Sequence, residues 1–162
     1  MKRWTLLAFL TSLFSGLATV NSQDLPFRKE VNYIDSVLQK NPSLENFLGI
    51  TYFYSIDITA EKEIIVIMDF KGPFTTTSTA RVADLNESFV VDTSEYSSSI
   101  CWNCRKDISD TEKRCIKLEN LYTSGEKEIV DSEDICIMLP AQSDIRLKLI
   151  IALKELLKKV RE

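Results

Sequence analysis

Apolar residues recur along this chain with three different spacings. Over residues 143–162, Ile145, Leu149, Ala152, Leu153, Leu156 and Val160 return at helical intervals. Leu147, Ile150, Ile151 and Leu157 widen that stripe beyond what a lone surface helix needs. A closing amphipathic helix is predicted. Pro140 stops what precedes it, Ser143 or Asp144 caps its first turn, and Lys158, Lys159 and Arg161 lie where the helix dipole favours cations. A shorter helix is predicted over residues 29–39, with Val31, Ile34, Val37 and Leu38 on one face and Asn41-Pro42 ending it.

Between these helices the period falls to two. In residues 50–58, Ile50, Tyr52, Tyr54, Ile56 and Ile58 alternate with Thr51, Phe53, Ser55 and Asp57. Residues 63–70 form the most apolar run and read as a central strand. The connection at 59–62 is too short for a parallel crossover, so the two form an antiparallel hairpin. Lys71-Gly72-Pro73 breaks the pattern, and a threonine-rich, half-exposed strand follows at 74–82. Farther on, short strands are expected at 88–92, 100–102, 115–118 and 134–139. Turns or polar loops are expected at 84–87, 93–99 and 120–128, with a charged irregular stretch at 105–113 and a marginal pair at Ile129-Val130. The fold class is therefore α+β: a curved antiparallel β-sheet packed by a C-terminal amphipathic helix, with a short N-terminal helix.

The third spacing is a continuous run. Lys2-Arg3 precedes a mostly apolar stretch from Trp4 to Val20, followed by Asn21-Ser22-Gln23. That order reads as a secretory signal peptide over residues 1–22, leaving residues 23–162 as a single α+β domain that is secreted or periplasmic. A retained anchor is the alternative, but Thr11, Ser12 and Ser15 interrupt the run, and no later stretch is long enough to span a membrane. The 162-residue chain carries a net charge of −4. Loss of Lys2 and Arg3 makes the remainder more acidic, which does not suit nucleic acid or anionic lipid as partners.

The only concentrated chemistry is four cysteines, Cys101, Cys104, Cys115 and Cys136, spaced C-x2-C-x10-C-x20-C. In an exported chain an even number of cysteines reads as two structural disulfides, with three connectivities open. A zinc site is a second reading, although the last two cysteines are split by twenty residues where a zinc ribbon has a second C-x-x-C. A third is a redox pair at Cys101-Trp102-Asn103-Cys104, although no apolar helical stripe follows it.

Other chemistries are thin. The chain has no histidine, no G-x-S-x-G and no phosphate-binding glycine loop. Asp57 and Asp69, on paired strands, are the one carboxylate pair worth naming, and solvent-facing strand carboxylates are the plainer reading. Asp131, Glu133 and Asp134 lack the ligand order of a calcium loop. Asn86-Glu87-Ser88 fits the N-glycosylation triplet. Trp102, Tyr52, Tyr54, Tyr96 and Tyr122 are candidates for a binding face, with Tyr52 and Tyr54 more simply core residues. Lys117, Lys127 and the helix lysines form no single basic patch in the sequence.

Ser99-Ile100-Cys101, Lys113-Arg114-Cys115-Ile116 and residues 151–157 (Ile-Ala-Leu-Lys-Glu-Leu-Leu) together resemble small secreted bacterial domains of pleckstrin-homology-like type. The resemblance covers residues 48–160 and departs at Cys104, an extra cysteine. It implies a sheet closed by a C-terminal helix and brings no catalytic residue. The expected function is an exported, non-enzymatic interaction or ligand-binding domain stapled by disulfides, with no cofactor or metal and no catalytic residue. Its partner would be a protein, peptide or envelope component. A thiol–disulfide enzyme using Cys101 and Cys104 is the alternative.

Overall fold

Two strands, β2 (Ile50–Ile58) and β3 (Glu63–Asp69), form the hairpin their patterns predict, with Ile56 opposite Val66 and Ile58 opposite Ile64. The computed structural model describes residues 25–45, 49–93, 98–105 and 114–162. The expected signal segment lies outside them, as do parts of the expected loops at 93–99 and 105–113. Around the hairpin, β3 pairs with β4 (Phe74–Arg81), β4 with β7 (Ile116–Tyr122), and β7 with β8 (Lys127–Ser132). A short strand, β1 (Ser43–Glu45), adds to the β2 edge, giving the order β1-β2-β3-β4-β7-β8, antiparallel throughout. A second, three-stranded antiparallel sheet is ordered β5 (Val90–Thr93), β6 (Ser98–Asn103), β9 (Asp134–Met138). The expected α+β architecture thus holds, with its strands divided over two sheets. The chain changes sheets at Ser132-Glu133, where β8 passes directly into β9 and Ser132 Oγ donates to the Asp134 carbonyl oxygen at 3.1 Å.

Pairing puts Tyr54, Ile56 and Ile58 of β2 in line with Ile64 and Val66 of β3, Ser78 and Ala80 of β4 and Ile116 of β7, and these form the buried face. Ile100 and Trp102 of β6, Cys104 just after it, and Ile135 and Ile137 of β9 join the same apolar cluster. Two helices complete it. Helix α1 (Arg28–Lys40) buries Val31, Ile34 and Leu38. Helix α2 (Ser143–Arg161) buries Leu149, Leu153, Leu156, Leu157 and Val160. The expected apolar stripe of α2 is too wide at two places: Leu147 and Ile151 are exposed. At about 100° per residue they lie on the far side of the helix from Leu149 and Leu153. The cap also differs. Gln142 occupies the N-cap without a side-chain bond, so Ser143 and Asp144 stand in the first turn.

Helix α1 also shields the sheet edge. Its Asp35 carboxylate accepts from the Ile56 N–H at 3.0 Å and from Ser55 Oγ at 2.7 Å, while Arg28 donates to the Ile58 carbonyl oxygen and pairs with Asp57. Backbone groups that a neighbouring strand would otherwise take are thus satisfied by side chains. Glu30 of α1 pairs with Lys159 of α2, which holds the Glu30 carboxyl below its ordinary pKa. The two sheets are joined at Met138, which accepts from Ser43 Oγ through its carbonyl oxygen and is also hydrogen-bonded to the Tyr54 hydroxyl through its backbone. Burial pushes Tyr54 up to a pKa of about 12.

A row of rings crosses one end of the large sheet: Tyr52, Phe70, Phe74 and Tyr122, with successive centroids 6.0, 5.2 and 5.4 Å apart. Gly72 permits it, because a Cβ there would sit 1.8 Å from the Phe70 ring.

Candidate functional site

The cysteines settle their own connectivity. Cys101 pairs with Cys136 and Cys104 with Cys115, and no cysteine is free. Strand β6 explains the division. Residues three apart on a strand point to opposite faces, about 10 Å apart. Cys101 therefore faces outward, directly across from Cys136 on β9, whereas Cys104 points inward and is buried. The Cys104 sulfur also accepts the Cys115 N–H at 3.1 Å. The C-x-x-C sequence is not a redox pair here: its two sulfurs belong to different bridges and lie on different faces. The zinc reading fails likewise, since all four sulfurs are used, and the described residues hold no cluster of three metal-ligating side chains.

The candidate acids do not meet. Asp57 and Asp69 share the outer face of the large sheet but stand in different cross-strand rows, opposite Ile65 and Phe53. Asp57 pairs with Arg28, and Asp69 accepts the Lys71 N–H at 2.7 Å. Both have structural work.

A cleft does form where α2 meets the segment before β5. It has a volume of about 530 Å3 and is lined by Glu87, Ser88, Phe89, Lys154, Leu157, Lys158, Arg161 and Glu162. The segment is fixed from three sides. Arg161 donates to the carbonyl oxygens of Glu87 at 3.1 Å, Asn86 at 2.6 Å and Leu85 at 3.3 Å. Asn86 Nδ2 donates to the Cys104 carbonyl oxygen at 3.2 Å, and the Asn86 N–H to that of Asn103 at 2.9 Å. Leu85 makes a backbone bridge to Cys104. The Asn86 amide, first residue of the glycosylation triplet, is thereby engaged within the fold. Desolvation on partial burial lowers the Arg161 pKa, and the nearby Glu87 carboxylate opposes that shift.

Lys154 and Lys158 project into the cleft one helical turn apart. The Lys154 ammonium stands 5.3 Å from the centre of the Phe89 ring, and neither lysine is ion-paired among the described residues. Phe89 and Leu157 give the cleft an apolar floor, and Glu87 and Glu162 stand exposed at its rim. Behind Phe89 lies Trp102, edge-on at 5.9 Å, fully buried, its indole N–H without an acceptor among the described residues. Of the aromatic residues named from the sequence as binding-face candidates, Tyr96 lies outside the described residues, and Tyr52 and Tyr122 join the row of rings on the large sheet. Tyr54 is core, as its register with Ile50 and Ile56 favoured, and Trp102 is core rather than surface, so Phe89, Lys154 and Lys158 do the lining. The i, i+4 spacing of the two lysines was legible, but their meeting with residues 87–89 depends on the fold. No helix among the described residues is long and apolar enough to cross a membrane.

Compared with known protein families, characterised proteins and solved structures, the chain matches none.

Proposed function

We propose that this chain is an exported, disulfide-stapled, non-enzymatic binding domain, spanning residues 23–162, that takes a small anionic ligand with an apolar portion in the cleft between residues 87–89 and α2. One observation carries the reading: two ammonium groups without an ion partner among the described residues, Lys154 and Lys158, face a cleft with an apolar floor whose far wall is held by Arg161. A preorganised wall lowers the ordering cost of binding, and an anion close to these lysines gains charge-assisted hydrogen bonds. Export is supported by the signal-like N-terminal run and by the two disulfides, which persist in oxidising compartments. Kinship with pleckstrin-homology-like domains is part of the same proposal and rests on the order of sheet, then closing helix.

The test is a titration of the oxidised protein, secreted from its expression host, with laurate and with 8-anilinonaphthalene-1-sulfonate. Trp102 fluorescence is followed, since its indole touches the cleft floor through Phe89. Both probes should bind, lauryl alcohol should bind much more weakly, and the Lys154→Gln, Lys158→Gln double variant should lose about tenfold in affinity, matching about 1.4 kcal/mol. Absence of binding, or equal binding by the double variant, would reject the reading.

A further inference from the structure

The two edges of the large sheet are treated differently. The β2 edge is covered by β1 and by Asp35 and Arg28 of α1. The β8 edge carries no strand or helix among the described residues. All of β8 from Lys127 to Asp131 is exposed, with Ile129 at 56% and Val130 at 39%. Its outward backbone groups follow from the hairpin. The Tyr122 N–H bonds the Glu126 carbonyl oxygen, and the Thr123 N–H bonds that of Pro73. Hydrogen-bonded pairs alternate along an antiparallel ladder. Glu128, Val130 and Ser132 therefore turn their backbone groups toward β7. Lys127, Ile129 and Asp131 turn theirs to the open edge, where the Arg114 guanidinium reaches the Asp131 carbonyl oxygen and nothing else described pairs.

We infer that β8 pairs with β8 of a second copy of this chain, antiparallel, about a two-fold axis at Ile129. A two-fold axis perpendicular to a shared sheet places outer-face residues opposite outer-face residues, so the centre falls on a residue. Centring on Glu128 sets that carboxylate against its own copy. Centring on Val130 sets Asp131 against Ile129. Centring on Ile129 sets Lys127, which already pairs with Glu119, opposite Asp131 twice, sets Ile129 against itself, and joins the edge backbone groups to one another, the Asp131 carbonyl oxygen being shared with Arg114. Charged residues on an edge strand normally discourage pairing. Here the charges favour the Ile129 register, since the neighbouring registers set Glu128 against itself or Asp131 against an apolar side chain. The outer faces of the two large sheets would then be continuous, and Ile129 would leave water.

The experiment is sedimentation equilibrium of the wild type and of charge-reversed variants. The wild type should dimerise reversibly. Lys127→Asp puts two acidic pairs across the axis and Asp131→Lys two basic ones, so each should weaken self-association by about tenfold. An equimolar mixture of these two variants restores both opposite-charge pairs and should form a heterodimer with near wild-type affinity. An unfolded variant could not give that result, which separates pairing from folding. Ile129→Lys should be monomeric with unchanged thermal unfolding at low concentration. A wild type that stays monomeric at millimolar concentration, or a mixture that associates no better than its components, overturns the inference. So would a dimer indifferent to all three substitutions.

Discussion

Arg161 is the residue whose loss should be felt in both stability and binding. Its guanidinium spans three consecutive carbonyl oxygens, those of Leu85, Asn86 and Glu87, the shortest contact being 2.6 Å. Hydrogen bonds to a charged group contribute about 1.5–3 kcal/mol each when buried. Arg161 is only half-buried, so water can replace part of what is lost, and the three bonds together should contribute about 2–3 kcal/mol rather than their sum. For a domain of this size, Arg161→Ala should then lower the melting temperature by about 6–9 °C. Urea denaturation at neutral pH measures the difference directly, and the slope with urea should not change, because the core is untouched. Arg161→Lys is the decisive companion. An ammonium is a compact charge and cannot reach three carbonyl groups in a row, so lysine should restore less than half of the loss. If Arg161→Lys matches the wild type, general attraction to the loop carbonyls explains the site and the fork geometry does not. If Arg161→Ala costs less than about 0.5 kcal/mol, typical of a surface change, the wall of the cleft is held by Asn86 and Cys104 alone.

Two further outcomes follow from single groups. Tyr54 has its pKa raised to about 12 by burial, against about 10 in the unfolded chain. Its contribution is therefore fully present below pH 10 and is lost as pH rises through 12, up to about 2–3 kcal/mol; stability measured from pH 9 to 12 should fall less steeply in Tyr54→Phe, and an identical slope would refute the assignment. The two disulfides should differ in both access and effect. Cys136 is exposed while Cys104 is buried, so mass mapping after brief native reduction and alkylation should find Cys101 and Cys136 modified first. Sequence separations of 35 and 11 residues give loop-closure contributions of about 4 kcal/mol for Cys101–Cys136 and about 3 kcal/mol for Cys104–Cys115, testable with paired serine variants.

What the sequence made legible follows from where the apolar period is strong. Residues 50–58 alternate cleanly, and β2 forms over that same span. Helix α1 extends its expected range by one residue at each end, because Arg28 and Lys40 are polar and join a turn already fixed by Val31, Ile34 and Leu38. The failures sit at the sheet edge. Residues 120–128 read as a turn because Asn120, Glu126 and Glu128 are polar and Ser124-Gly125 is a turn pair. The strand continues to Tyr122, and Gly125, at φ 88°, closes a tight hairpin. Strand β8 could not announce itself by alternation, since neither of its faces is buried. β1 was likewise missed, being three residues long and defined by its partner rather than by its own pattern.

The same reasoning explains why the candidate site was less legible than the fold. Periodicity reports which side chains enter the core, and Leu149, Leu153 and Leu156 do so as expected. It does not report which loop the opposite side of a helix will meet. Lys154 and Lys158 gain meaning only because Arg161, one turn farther along, fixes residues 85–87 beside them, and because Phe89 places its ring between Lys154 and Trp102. The cysteines make the converse case. Their spacing suggested a C-x-x-C unit, yet β6 carries Cys101 and its extended backbone continues to the bridge at Cys104, and an extended chain sends residues three apart to opposite faces. Once β6 is known to be a strand, Cys101 and Cys104 cannot close on each other. Pairing across to β9 for the first, and to the start of β7 for the second, is what the two faces leave open.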